Sequence, residues 1–146
     1  MLNLNKACSI FKKVEHIGIA VKNIKEADLL FEKLLGKASY KKENVESESV
    51  CTSFYQVGET KLELLESDNE NSAISKYITK KGEGIHHIAF EVDDISAELI
   101  RLKNEGFRLI NETAFKGADN KLVAFIHPKS CHGILVELCQ EIKGNE

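Results

Sequence analysis

The sequence has a single proline, no long apolar run, no excess of basic residues and no CxxC pair of cysteines. One proline with nine glycines and 42% apolar residues is not the composition of a disordered chain. The 146 residues therefore predict one folded domain, or two small modules that share a core. The formal net charge of -3, with both signs interspersed, gives no reason to expect nucleic-acid binding, and no run is long enough to predict a membrane span.

The cysteines and the first residues argue against two further classes of protein: those held together by disulfides or thiolate-bound metal, and those with a signal or transit peptide. Cys8, Cys51, Cys131 and Cys139 are too far apart for a CxxC pair, which argues against a disulfide framework or a thiolate metal site and favours free thiols. Residues 1–12 lack both a long apolar stretch and an arginine-rich composition. We interpret them as an N-terminal leader and expect a cytoplasmic protein.

The sequence contains an internal duplication. When it is shifted by 71 residues, the following residues match: His16 with His87, Ile17 with Ile88, Val21 with Val92, Asn23 with Asp94, and Ile24 with Ile95. Gly36 and Gly106 match at a shift of 70. A repeat of this kind predicts two copies of one structural unit, so each copy is interpreted in the light of the other.

Each copy begins with a strand, a capped helix and a glycine stop. In the first copy, Asn23 and Glu26 form a capping-box pattern, and Gly36 supplies the left-handed residue that ends the helix. In the second copy, Asp94 and Gly106 take the same places. Further strands are predicted after each helix, in "VCTSFYQV" and "TKLELLE" and then in "FRLINE", "KLVAFIHP" and "GILVELC".

These elements predict an α+β fold made of two pseudo-symmetric βαβββ modules in one open, curved mixed sheet. The predicted boundaries are modules at 13–66 and 84–140, a connecting helix at about 71–81 and a C-terminal tail at 141–146. Residues 13–140 are thus expected to form a single domain.

Strand alternation then sorts the histidines by face. In "VEHIGIAV", His16 shares a face with Gly18 and Ala20, two small residues that leave room beside the imidazole. In "GIHHIAFEV", His87 matches His16 in register and facing, so His86 is expected to point to the other side of the sheet, where it packs or bonds locally.

Each copy also carries a glutamate between apolar residues in its last strand. Glu63 follows His16 by 47 residues, and Glu137 follows His87 by 50. Two neutral imidazoles and two carboxylates would neutralise a divalent ion and leave two of six octahedral positions for water or substrate oxygens. The alternatives are structural histidines and glutamates that are solvated or paired with a lysine such as Lys61. Agreement of all four positions between the copies favours the metal site.

The sequence resembles the vicinal oxygen chelate superfamily, which includes glyoxalase I, extradiol dioxygenases and bleomycin resistance proteins, and within it the methylmalonyl-CoA epimerase family. The resemblance rests on "EHIGIAVKN", "TKLELLE", "KKGEGIHHIAFEVDDI" and "FIHPKSCHGILVELCQ". It implies the glyoxalase-like fold, a homodimer and one divalent ion per chain. Nitrogen and oxygen ligands without thiolate suit cobalt, nickel, manganese, iron or zinc. The implied ligands are His16, Glu63, His87 and Glu137, although part of the family has glutamine at the position of Glu63.

The resemblance implies an isomerase that interconverts (R)- and (S)-methylmalonyl-CoA. A divalent ion bound to the thioester and carboxylate oxygens would stabilise the enolate that forms when the C2 proton is removed. Glu137 is the first candidate for the base. Some epimerases have a second catalytic glutamate where this chain has Thr52; Glu48, on the same predicted face, is the candidate to replace it, and a solvated charge is the alternative.

Two further residues, His127 and Lys129 in "FIHPKS", are candidates for contact with the substrate carboxylate or the CoA phosphates, with a turn-forming role as the alternative. Two other functions fit the same fold. Glyoxalase I (lactoylglutathione lyase) uses nearly the same ligand set on a glutathione hemithioacetal, although "HPKS" argues against it. A metal-free binding protein of the drug-resistance type would need none of the four proposed ligands.

Overall fold

The computed structural model describes residues 11–46 and 49–143. The first module contains β1 (Phe11–Ala20), α1 (Ile24–Leu35), β2 (Lys41–Val45), β3 (Val50–Val57) and β4 (Thr60–Glu66). The connecting helix is α2 (Ala73–Lys81). The second module contains β5 (Gly84–Val92), α3 (Ile95–Asn104), β6 (Phe115–Lys116), β7 (Lys121–Ile126) and β8 (Val136–Glu141), with a 3₁₀ turn (Pro128–Ser130) between the last two strands.

The strands of the described residues form one mixed sheet in the order β2-β3-β4-β1-β5-β8-β7-β6. At its centre the first strands of the two modules, β1 and β5, pair antiparallel. Each of them also pairs in parallel with the last strand of its own module, β1 with β4 and β5 with β8. The order is therefore symmetric about the β1–β5 pair, and the prediction of two pseudo-symmetric βαβββ modules in one open sheet is confirmed.

The helices begin and end as the sequence predicts. The side chains of Asn23 and Asp94 accept hydrogen bonds from the backbone N–H groups of Glu26 and Ala97 at the starts of α1 and α3. Gly36 ends α1 with φ 75°, and Gly106 follows α3 with φ 92°, a conformation that glycine adopts without steric cost. These signals fix the direction in which each helix leaves its strand.

The core lies mainly on the convex face of the sheet, where α1 and α3 pack. Ile24 of α1 packs on Val21, Tyr55 and Leu64. On the other half, Ile95, Leu99 and Leu102 of α3 pack against β7 and β8. The helix α2 lies across one end of the concave face, with Ile74 against Ala20, Val50 and Leu65. The rest of the concave face carries both polar and apolar side chains.

The predicted strand "FRLINE" is wrong. Between Phe107 and Glu112 only Leu109 forms an isolated bridge, to Ile126. The backbone N–H groups of Ile110 and Asn111 both donate to the carbonyl of Phe125, while the Asn111 side chain accepts from the N–H of Phe125. Because the side chain of Asn111, and not a backbone carbonyl, accepts from the N–H of Phe125, the backbone hydrogen-bond ladder of a strand does not continue through this segment. The second strand of this module is instead the two-residue β6.

The ends of the sheet lie slightly beyond the predicted module boundaries. β1 begins at Phe11, inside the segment interpreted as a leader, and β8 ends at Glu141, the first residue of the predicted tail. Cys51, Cys131 and Cys139 are free thiols, and Cys139 is fully buried. Cys8 lies outside the described residues. No helix within 11–46 and 49–143 has the length and apolarity needed to span a membrane.

Candidate metal centre

The four predicted ligands lie on four neighbouring strands at the middle of the concave face. Glu63 is on β4, His16 on β1, His87 on β5 and Glu137 on β8. Each of the four residues is at most 6% exposed. Charged and polar side chains this deeply buried need partners, and in this chain they are one another's partners.

His16, His87 and Glu137 form the tightest part of this group. The Nε2 atoms of the two histidines are 3.0 Å apart. Glu137 Oε2 lies 3.3 Å from Nε2 of His16, and Oε1 lies 3.7 Å from Nε2 of His87. One donor atom from each of the three residues therefore points to a common position between β1, β5 and β8.

Glu63 contacts the other ring nitrogen of His16. Its Oε2 lies 3.0 Å from Nδ1, and Glu15 Oε1 lies 3.1 Å from the same nitrogen. The structure thus brings three of the four predicted ligands together at the Nε2 atoms and places the fourth, Glu63, beside Glu15. Glu15 is only 2% exposed, and sequence reasoning missed it because alternation assigns it to the opposite face from His16.

The position of Glu15 comes from a β-bulge. Val14 and His16 pair with the consecutive residues Phe90 and Ala89, which leaves Glu15 as an extra residue in β1. A bulge breaks the alternation of side chains, and so Glu15 turns to the concave face. A matching bulge exists in β5, where His87 and Ile85 pair with the consecutive residues Gly18 and Ile19 and His86 is the extra residue.

The prediction that His86 points away from His87 is therefore wrong. Its side chain lines the concave face, and its Nδ1 lies 2.9 Å from Nδ1 of His87. The ring also packs edge-on against Tyr77 of α2, with 5.1 Å between centroids. The expectation that His86 bonds locally is confirmed.

The space beside Gly18 is filled by His87. A Cβ atom on Gly18 would lie 2.2 Å from Cε1 of the His87 ring, closer than any side chain could come. Sequence analysis predicted that Gly18 leaves room beside His16. In the structure, Gly18 allows the imidazole of His87, from the other module, to lie over β1. Only glycine fits this approach of ring to backbone.

The two histidines differ in protonation. Burial alone would lower the pKa of His16, but the carboxylates of Glu137, Glu63 and Glu15 outweigh it and raise this pKa to about 9. Burial, together with the positive His16, holds the pKa of His87 well below its ordinary value. A protonated His16 can donate from Nε2–H to Nε2 of a neutral His87, 3.0 Å away. Burial raises the pKa of Glu63 and lowers that of His86 to about 4.

The donor atoms of His16, His87 and Glu137 suit a divalent ion in type and spacing. Two atoms bound at about 2.1 Å from one ion and at right angles to each other are roughly 3.0 Å apart. The separations of 3.0 and 3.3 Å between His16 Nε2 and its two neighbours are close to this value. The carboxylates of Glu137, Glu63 and Glu15 raise the pKa of His16 to about 9 despite its burial, so this position already favours positive charge.

The site opens into a cavity of about 560 Å³ on the concave face. Its walls are largely apolar and include Val50, Leu65, Ile74, Val123, Phe125 and Leu135. Thr52, which stands where some epimerases have a glutamate, lines the cavity and is buried. Glu48, the proposed second base, lies outside the described residues.

A chain of ion pairs, which sequence analysis did not find, crosses one end of the cavity. Asp119, in the turn between β6 and β7, lies 2.7 Å from Lys61 and 3.0 Å from Lys41, both in the first module. Lys61 in turn lies 3.4 Å from Glu15. The chain connects the turn of one module to the bulge of the other, and thereby to His16.

His127 and Lys129 lie away from the cavity wall. His127 precedes the 3₁₀ turn, and its Nδ1 accepts a hydrogen bond from the backbone N–H of Lys129. The side chain of Lys129 is exposed, and neither residue lines the cavity. The geometry matches the turn-forming alternative, and contact of these residues with a substrate stays a prediction.

Comparison with known proteins shows the relatives of this chain. Residues 15–125 match the model of the glyoxalase/bleomycin resistance protein/dioxygenase superfamily. The chain is 42% identical over 134 residues to the uncharacterized protein YqjC of Bacillus subtilis, a match that covers 92% of this chain and 95% of that protein. It is 37% identical over 130 residues to the ethylmalonyl-CoA/methylmalonyl-CoA epimerase of Cereibacter sphaeroides, covering 88% and 97%. The crystal structure of methylmalonyl-CoA epimerase from Mycobacterium tuberculosis superposes with a TM-score of 0.87 at 32% identity, covering 94% and 93%.

Proposed function

Because this chain belongs to the glyoxalase/bleomycin resistance protein/dioxygenase superfamily, we propose that it is an epimerase that interconverts (R)- and (S)-methylmalonyl-CoA with the help of a divalent ion. The observation that carries the proposal is the buried cluster of His16, His87 and Glu137 at the floor of an apolar cavity. The named epimerases that match almost the whole chain support the same substrate.

His16, His87 and Glu137 are the proposed ligands of the ion, with Glu63 as the fourth. When bound there, the ion withdraws electron density from the substrate's thioester oxygen and so makes the proton on C2 more acidic. Cobalt, nickel, manganese, iron and zinc all accept nitrogen and oxygen ligands. A cytoplasmic homodimer is the form that we propose for the active enzyme.

Glu137 is the proposed base on one face of C2. Its carboxylate lies at the cavity floor, and one of its oxygens accepts the C2 proton while the C–H electron pair moves toward the thioester carbonyl. Return of a proton to the opposite face of the planar carbon inverts the configuration. Glu48 is the proposed donor on that second face. A positioned acid or base of this kind typically contributes roughly 10²–10⁴-fold to the rate.

The cavity walls orient the acyl group and exclude water. Leu65, Ile74 and Phe125 offer no group that competes with the substrate for a proton. Exclusion of water strengthens the electrostatic interactions at the floor and protects the carbanion from unproductive protonation. The CoA moiety is expected to lie along the surface, with only the acyl end in the cavity.

A chiral assay tests this function directly. The chelated protein is supplied with (S)-methylmalonyl-CoA, and formation of the (R) form is followed after each metal is added back alone. We expect activity to depend on the metal and solvent deuterium to enter C2. Turnover of methylglyoxal with glutathione, but not of methylmalonyl-CoA, would instead identify a glyoxalase. A chain that loads no divalent ion and turns over neither substrate would be a binding protein.

A further inference from the structure

We propose that Glu15 and His86 are positioning residues that hold His16 and His87 in the tautomer that leaves each Nε2 free to bind the ion. This inference rests on the proposed function, because it concerns the same metal centre. Each of these residues directly precedes one of the two histidines, in a strand of a different module. Neither belongs to the proposed ligand set.

The matched bulges bring both residues to the concave face. In an unbroken strand, the residue before a histidine would point to the opposite side of the sheet. Glu15 is an extra residue of β1, which has a further bulge at Lys12, and His86 is the extra residue of β5. The bulges at Glu15 and His86 each lie opposite an uninterrupted pair of residues of the other strand. Two one-residue insertions at equivalent places in a duplicated unit place a hydrogen-bonding side chain beside each ligand.

At His87, the contact with His86 gives a proton on Nδ1 an acceptor. The two Nδ1 atoms are 2.9 Å apart, so one of them donates to the other. A neutral His87 that carries its proton on Nδ1 donates it to His86 and directs the lone pair of Nε2 at His16, whose Nε2 is 3.0 Å away. The opposite tautomer would place a proton on Nε2, in the position of the ion.

The orientation of His86 is itself fixed. Its ring lies edge-on to Tyr77, and the hydroxyl of Tyr77 donates to the carbonyl of Ile85 at 2.6 Å. The helix α2 therefore contacts both the residue before His86 and its ring. Nδ1 of His86 is thus held toward His87.

At His16, a carboxylate performs the corresponding role. Glu15 Oε1 accepts from Nδ1–H of His16 at 3.1 Å, and its other oxygen lies 3.4 Å from Lys61. Glu63 contacts the same nitrogen, but Glu15 is also paired with the ammonium group of Lys61, which lies 2.7 Å from Asp119. A ligand histidine whose second nitrogen donates to a carboxylate is a stronger donor to a metal than one bonded to a neutral group. His16 is therefore the stronger donor of the two.

The test measures zinc affinity and tautomers, not only turnover. In the zinc-loaded protein, long-range ¹H–¹⁵N spectra of labelled histidine report which nitrogen of each ring carries a proton. We expect Nδ1 of His16 and of His87 to be protonated in the wild type. Zinc affinity, measured by competition with a chelator, should fall roughly 10–100-fold in His86→Leu. It should recover in large part in His86→Gln, whose amide oxygen can accept the same proton.

Glu15→Gln keeps the hydrogen bond but removes the charge, so we expect a smaller loss of zinc affinity than in Glu15→Leu, with Nδ1 of His16 still protonated. The matched controls are Glu59→Gln, in an exposed turn, and His132→Asn, at an exposed position with φ 53° that asparagine tolerates. Both controls should bind zinc as the wild type does.

Three results would overturn the inference. The first is wild-type zinc affinity in His86→Leu and Glu15→Leu. The second is a wild-type protein whose zinc-bound His87 lacks a proton on Nδ1, which decides the matter even if a leucine variant fails to fold. The third is no recovery in His86→Gln. In each case, a wild type that binds zinc and epimerises methylmalonyl-CoA would keep the proposed function, whereas a wild type that does neither would remove both.

Discussion

His16 and His87 occupy equivalent positions in the two modules, but His16 lies among three carboxylates, whereas His87 lies mainly among aromatic rings, with Glu137 3.7 Å away. Glu15, Glu63 and Glu137 all contact or face His16 and raise its pKa to about 9. His87 contacts His86 and packs edge-on against Phe125, and its pKa is lowered. The duplicated backbone therefore presents two imidazoles symmetrically, while the side chains around them give one a positive and the other a neutral state.

The glutamates of the two modules should differ most in their effect on the proposed reaction. Glu137 is close to both Nε2 atoms, whereas Glu63 lies at Nδ1 of His16. We expect Glu137→Gln to lower epimerase turnover by roughly 10²–10⁴-fold, because the base is removed. Glu63→Gln should lower it only about tenfold, because an amide oxygen can still contact His16.

Turnover of both variants at saturating metal measures this difference, and the metal content of each variant is the control. Full turnover in Glu137→Gln would remove Glu137 from its proposed role as base. Equal losses in the two variants would show that the glutamates act alike despite their different contacts.

The second expected difference is steric. Gly18 faces His87 across the β1–β5 pair, and Ala89 faces His16. Gly18→Ala places a methyl group where the His87 ring lies, so we expect a loss of about 1–3 kcal/mol in the free energy of unfolding and weaker metal binding. Denaturant unfolding and chelator competition measure the two effects.

The matched control is Ala89→Gly at the equivalent position of the other module. Removal of this methyl group leaves His16 uncrowded, so metal affinity should stay close to that of the wild type. An unchanged metal affinity in Gly18→Ala would mean that His87 can move aside without cost.

The smallest effect is expected from pH alone, in the metal-free protein. The pKa of His16 is raised on folding, so its contribution to stability is complete below about pH 6.5 and is lost as pH rises through about 9. Between pH 7 and pH 8 this loss amounts to about 1 kcal/mol. The pKa of His87 is lowered, so its neutral burial costs stability below about pH 6.5.

Urea unfolding in the presence of a chelator, from pH 5 to pH 10, measures the loss of stability at alkaline pH and the loss at acid pH. His16→Gln should remove the decline above pH 7, and His87→Gln should reduce the decline at acid pH. A decline above pH 7 that persists in His16→Gln would assign it to another group.

The sequence contains enough information for the modules and for three members of the cluster, because these depend on repeated local signals. The capping residues Asn23 and Asp94 set where each helix begins, and period-two alternation sets the facing of His16, His87 and Glu137. Both signals occur twice, and so each copy supports the interpretation of the other.

The features that sequence analysis missed depend on contacts between distant parts of the chain. A one-residue bulge changes the facing of Glu15 and His86 without a change in composition, since any residue can be the extra one. The hydrogen bonds of Asn111 with Phe125 replace a ladder that apolar alternation predicts. Strand β2 was also not recognised in the sequence, because it consists largely of charged residues and shows no alternation of apolar and polar positions.

The antiparallel pairing of β1 with β5 also has a consequence for folding. It joins segments about 70 residues apart in the chain, so the entropy of closing a long loop opposes it until the rest of the sheet can compensate. Until that ladder forms, His16 and His87 remain on separate halves and no ion can bridge them. An ion that binds only the joined halves adds its binding free energy to their association. Metal supply would then govern how long the native chain survives as well as how fast it works.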